Sequence, residues 1–178
     1  MDTFFNASKN KTRVLILTSN AVIAQFFLHI LHFNEKDFDF LLEDGNHQNA
    51  GSDFVILETS DVEKAALFQP NIALITQDIK PDETMAVLRN IVAGGVLIHP
   101  NAFQEAAEES GNFFRKLEFS LADFQKSQDH FILSTSLGPI PLSSEEESLA
   151  ANMEGVKLLA QQFGVMEEEF YEAVTEFK

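Results

Sequence analysis

Glu58 closes the run Asp53-Phe54-Val55-Ile56-Leu57-Glu58, and Thr76 closes Asn71-Ile72-Ala73-Leu74-Ile75-Thr76. A carboxylate at the end of a buried strand can hold Mg²⁺, which takes one or two carboxylates together with substrate phosphates. It can equally be a solvated strand end. Thr76 and Asp82 can line the same edge, or serve as N-cap and first-turn acid of the helix that follows. Ser19 and Asn20 come directly after the apolar run Arg13 to Thr18, where either can cap a helix. His29 and His32 lie three apart, and no carboxylate or third His stands at the spacing of a metal site, so packing or surface roles are expected for both. His47, His99 and His130 are isolated, and no Ser sits in a Gly-x-Ser-x-Gly arrangement. The lack of Cys removes thiol nucleophiles, thiolate metal sites and disulfides. No residue is assigned a catalytic role.

These positions depend on an alternating set of elements. Arg13 to Thr18 has the aliphatic, β-branched character of a strand buried on both faces. Ala21 to His32 reads as a helix packed on a sheet. Phe38 to Leu42 reads as a second strand, followed by the turn formers Glu43-Asp44-Gly45-Asn46 and a polar, exposed loop to Ser52. Asp53 to Glu58, Asn71 to Thr76 and Val96 to Ile98 are further strands, with Pro81 to Val92 helical and its Pro near the first turn. Such alternation predicts a mostly parallel sheet. After Asn101 a short helix reaches about Glu109. Phe113 to Ser120 and Phe131 to Ser136 then suggest a small antiparallel appendage, and Glu145 to Phe163 and Glu167 to Phe177 are helical segments parted by Gly164. The expectation is one three-layer α/β domain over residues 1–178 with a flexible start, Met1 to Thr12.

Composition narrows the partners. A formal charge of −16 with only 12 Lys and Arg argues against nucleic acid and anionic membranes, which are bound by displacing counterions with basic side chains. Glu145-Glu146-Glu147 and Glu167-Glu168-Glu169 read as solvated helix surface, and most of the 18 Phe as core. No apolar stretch has the length of a signal peptide, so a soluble, cytoplasmic protein is expected.

Several segments also carry a family resemblance: Val14 to Thr18, His29-Ile30-Leu31, Phe54 to Asp61 (FVILETSD), Pro70 to Thr76 (PNIALIT), Ile140-Pro141-Leu142, Asn152 to Gly155, Phe163-Gly164-Val165 and Glu169 to Lys178. In order and spacing they resemble the central, ATP-binding domain of Mur ligases. The likeness is strongest to the members that join L-alanine, or recycled murein peptides, to UDP-N-acetylmuramate. It implies a P-loop-type sheet and an ATP-dependent acid–amino-acid ligase of peptidoglycan synthesis, using ATP and Mg²⁺. It also places Ser19, Asn20 and Asn152 in the remnant of the nucleotide site and Glu58 at the acidic Mg²⁺ ligand.

The departures fall on the family's chemistry. Where the family has T-G-T-x-G-K-T-T, this chain has Thr18-Ser19-Asn20-Ala21-Val22-Ile23-Ala24, about three residues shorter and without Gly or Lys. The T-N-x-x-x-D-H motif becomes Thr76-Gln77-Asp78-Ile79-Lys80-Pro81-Asp82-Glu83, and Ser148-Leu149 stand for the His-Asn of G-x-H-N-x-x-N, of which Asn152 is kept. Asn101-Ala102-Phe103 supplies the Asn of N-x-D-D without its acids. The expected reading is a stand-alone degenerate domain without cofactor, non-catalytic, which binds a protein partner or itself, with a link to peptidoglycan synthesis. The alternative is a divergent ATP-dependent component acting on a UDP-muramyl precursor, or a small-molecule binder whose old nucleotide edge is lined by Val22 and Ile23.

Overall fold

Every residue from Val14 to Leu17 is buried, because their strand, β1 (Thr12–Leu17), is central in the sheet and both faces of the sheet are covered by helices. The computed structural model describes residues 2–178. Its main sheet contains β2 (Asp39–Leu41), β3 (His47–Gln48), β4 (Phe54–Thr59), β5 (Ile72–Ile75), β6 (Val96–Pro100) and β7 (Arg115–Phe119) around β1. The order is β3-β2-β4-β1-β5-β6-β7, parallel throughout except for β3, which pairs antiparallel with β2. The period-two alternation of strand side chains divides the core. Val14, Ile16, Ile56 and Leu74 pack on one side with α2 (Ala21–Phe33), α7 (Met153–Gln161) and α8 (Glu167–Glu176). Leu15, Leu17, Leu57 and Ala73 pack on the other with α3 (Val62–Phe68), α4 (Met85–Asn90) and α5 (Gln104–Glu109). This is the expected three-layer arrangement.

The chain leaves β1 through α2 toward β2, whereas it leaves the adjacent β4 through α3, on the opposite face, toward β5. The strand order therefore reverses at the carboxyl ends of β1 and β4, the place where open α/β sheets bind ligands.

Several elements differ from the sequence reading. The stretch expected to be flexible contains α1 (Asp2–Ser8), whose Phe4 and Phe5 rings lie against Phe68 at 6.2 and 5.5 Å. The Phe113 to Ser120 run supplies β7, a parallel edge strand of the main sheet. The antiparallel appendage consists instead of β8 (Phe124–Ser127), β9 (His130–Thr135) and β10 (Gly138–Leu142). The helix expected from Glu145 to Phe163 breaks at Asn152 into α6 (Glu147–Ala151) and α7. Pro81 to Val92 divides into a 3-10 turn at Pro81–Glu83 and α4.

Candidate functional site at the carboxyl edge of β1 and β4

Three residues, Thr18, Ser19 and Asn20, join β1 to α2, and neither Gly nor Lys occurs from Thr18 to Phe33. Asn20 is the helix cap: its side chain accepts from the Val22 amide at 3.1 Å. Its own amide donates to the Thr18 hydroxyl at 3.1 Å. Ser19 donates both its amide and its hydroxyl to Oδ2 of Asp78, at 2.6 and 2.7 Å. Asp78 reaches the turn from the loop after β5, the strand beside β1. Burial opposes its charge, but the Ser19 hydrogen bonds hold its pKa below the usual carboxylate value.

The neighbouring turn repeats this construction. Thr59 ends β4, and Ser60 and Asp61 join it to α3; the Asp61 amide donates to the Thr59 hydroxyl at 3.1 Å, and the Asp61 side chain accepts from the amides of Glu63 and Lys64. Ser60 donates its amide and hydroxyl to the carboxylate of Glu43, at 3.1 and 2.9 Å. Glu43 follows β2, the strand beside β4. At the point of strand reversal, each exposed turn amide thus finds a carboxylate from the adjacent strand's loop.

Glu58 is 2% exposed, on the α2 side of β4 and opposite Ile16 in register. One carboxylate oxygen accepts from the Glu43 amide at 2.8 Å. Burial raises its pKa; the Glu43 amide works against that rise, while the Glu43 and Asp44 charges add to it. Among the described residues no group of three or more acidic or His side chains is arranged to hold a metal ion. Asn152, 1% exposed, accepts from the Gln77 amide at 2.9 Å and donates to the Ser148 carbonyl at 2.8 Å. It thereby fastens the loop after β5 to the break between α6 and α7.

Thr76 donates its hydroxyl to the Leu17 carbonyl at 3.0 Å and is buried, so it tethers β5 to β1 rather than capping a helix. Asp82 is exposed in the Pro81–Glu83 turn, as a first-turn acid. Ile23 is fully buried in the α2-side core and Val22 packs against it. His29 lies 2.9 Å from the Ala173 carbonyl and His32 packs on Phe38, the roles expected of packing histidines. The structure therefore brings Ser19, Asn20 and Glu58 to one edge, with Asn152 a step away across Gln77. The two carboxylates that hold the turns, Asp78 and Glu43, stand in the sequence only as a motif position and a turn former, with nothing to pair them with Ser19 and Ser60. The repeated pattern Thr-Ser-Asn and Thr-Ser-Asp after two apolar strands was the signal available.

No protein-family model and no curated protein matches the chain by sequence. Solved structures do match by fold. A MurF from Acinetobacter baumannii superposes with a TM-score of 0.71 at 14% identity, covering 98% of this chain and 48% of that one. A MurF ligase from Thermotoga maritima, solved in complex with ADP, gives 0.72 at 12% identity, covering 99% and 52%. A UDP-N-acetylmuramate:L-alanyl-gamma-D-glutamyl-meso-diaminopimelate ligase from Neisseria meningitides gives 0.69 at 14% identity, covering 98% and 68%. The chain spans about half the length of the two MurF structures. The fold is that of a Mur ligase-like domain, as the sequence resemblance implied. Among the described residues, no helix is long and apolar enough to cross a membrane.

Proposed function

We propose that this Mur ligase-like domain is non-catalytic and works as a cytoplasmic binding or regulatory module, for a protein partner or a second copy of itself, in peptidoglycan synthesis. The observation that carries this reading is the Ser19 to Asp78 contact. A loop that cradles phosphate needs glycines where the backbone turns tightly against the ligand, and a lysine to offset its charge. This turn has neither, and the amide that a phosphate would use is committed to a carboxylate. A second negative charge about 4 Å away is repelled by about 4 kcal/mol at an effective dielectric near 20. The turn does not fit the phosphates of ATP.

The metal position supports the same reading. Glu58 is a single buried carboxylate, and its neighbour Glu43 is turned away to hold Ser60. Mg²⁺ demands near-octahedral oxygen ligation and relies on substrate phosphates for part of it. One desolvated carboxylate beside a turn that repels phosphate does not supply that set. The packing of Val22 and Ile23 into the core also speaks against a relined small-molecule pocket at this edge.

Thermal unfolding in the presence of ATP with Mg²⁺, and of UDP-muramyl precursors, tests the proposal. A ligand at about a hundred times its Kd stabilises the folded state by about 2.7 kcal/mol, a readily visible shift. None of these compounds is expected to raise the midpoint. A rise that is lost in Glu58→Ala establishes instead a divergent ligase component. Sedimentation at several concentrations separates self-association from a requirement for another protein.

A further inference from the structure

A cleft of about 560 Å³ opens at the amino edge of the sheet, remote from the Ser19 and Ser60 turns. Phe54 and Phe163 contribute its apolar part, their ring centroids 4.5 Å apart, and Lys36, Asp37, Ser52 and Asp53 its polar part. One wall is fixed in advance. Asp39, 2% exposed, accepts from the amides of Ala50, Gly51 and Ser52 at 2.6, 3.2 and 3.1 Å and pairs with Lys11 at 3.0 Å, which fastens the loop entering β4. Phe163 is held from behind by Phe27, 5.4 Å away.

The charged groups in this cleft have few internal commitments. Among the described residues, none of Lys36, Asp37 and Asp53 is in a salt bridge. The Lys36 ammonium makes one long contact, 3.5 Å to the Gly164 carbonyl. Two carboxylates against one ammonium disfavour a polyphosphate, and two carboxylates alone are a poor divalent-metal site. A ligand that meets both signs carries one ammonium and one carboxylate, and the Phe54 and Phe163 rings, already in contact with each other, offer one apolar surface for its body to lie against.

We propose that this cleft binds a small zwitterion with an apolar body, its carboxylate on Lys36, its ammonium on Asp53 and Asp37, and its body against Phe54 and Phe163. The site is independent of whether the opposite edge binds nucleotide.

The test is a titration of the ¹⁵N-labelled full chain with L-phenylalanine, with phenethylamine and phenylpropionate as the ammonium-only and carboxylate-only analogues. Saturable amide shifts at Asp37, Gly51, Ser52 and Phe54 are expected below about 10 mM, with each analogue about tenfold weaker. Lys36→Gln should weaken L-phenylalanine about tenfold and leave phenethylamine unchanged, and Asp53→Asn should weaken phenethylamine and leave phenylpropionate unchanged. A dispersed spectrum confirms that each variant is folded. Absence of saturable shifts at these amides, or equal binding by wild type and Lys36→Gln, overturns the proposal.

Discussion

The amide and hydroxyl of Ser19 converge on one carboxylate oxygen of Asp78, at 2.6 and 2.7 Å, across 59 residues of sequence. One strand over, Ser60 donates its amide to one carboxylate oxygen of Glu43 and its hydroxyl to the other, at 3.1 and 2.9 Å. In each case the amide ahead of a helix is satisfied from within the chain.

Asp78→Asn should therefore weaken the fold although the residue lies at the exposed rim. Hydrogen bonds to a charged group are worth about 1.5 to 3 kcal/mol when buried; discounted for exposure, the cost should be about 1 kcal/mol. Because the folded pKa is depressed, this contribution is present above the unfolded carboxylate value, near about 4, and is lost as pH falls toward the folded value. Urea unfolding of both proteins across the acid range checks this: the two midpoints should converge as the pH drops.

Two buried carboxylates should respond to neutralisation with opposite signs. Burial opposes the charge on Asp39, yet Lys11 and the loop amides hold its pKa low. Its stabilisation is thus present above about pH 4 and lost below, and Asp39→Asn, which leaves Lys11 unpaired, should cost about 3 kcal/mol near neutral pH. Burial leaves Glu58 with a raised pKa. Its contribution is most favourable below the unfolded value, near about 4.3, and declines as pH rises through the folded value. Glu58→Gln can still accept from the Glu43 amide and should stabilise the protein by about 1 kcal/mol near neutral pH. Chemical denaturation of the two variants at neutral and acidic pH reads both signs.

Gly155 sets how closely α7 approaches the sheet. A Cβ there would stand 2.6 Å from one atom of the Phe119 ring and 3.1 Å from Leu74. Gly155→Ala gains about 1 kcal/mol of helix propensity but overpacks a buried contact, so a net loss of about 1 to 2 kcal/mol is expected. An unfolding curve shifted to lower denaturant with an unchanged slope is the expected result.

The core of the fold was legible because β1, β4 and β5 are short aliphatic runs, the pattern that a strand buried on both faces requires. Asn20 was likewise readable as one of two capping candidates, since capping is local. The place of β7 was not: as an edge strand, Arg-Lys-Leu-Glu-Phe is largely exposed, and its composition does not distinguish a parallel from an antiparallel partner. At the break, Asn152 accepts from the Gln77 amide, 75 positions away, a contact no local pattern announces, although Asn within a helical pattern is itself a warning. For the same reason the sequence could place Ser19 at the edge but not supply Asp78 as its partner. The site was readable as an absence of Gly and Lys; what fills the turn required the packing of two strands.

Isothermal titration of the chain with ATP in the presence of Mg²⁺ tests the central claim most directly. With the Ser19 amide committed to Asp78 and no lysine in the turn, no saturable heat is expected at concentrations up to about 1 mM. A Kd of about 10 μM or tighter would contradict the account and return this edge to nucleotide chemistry.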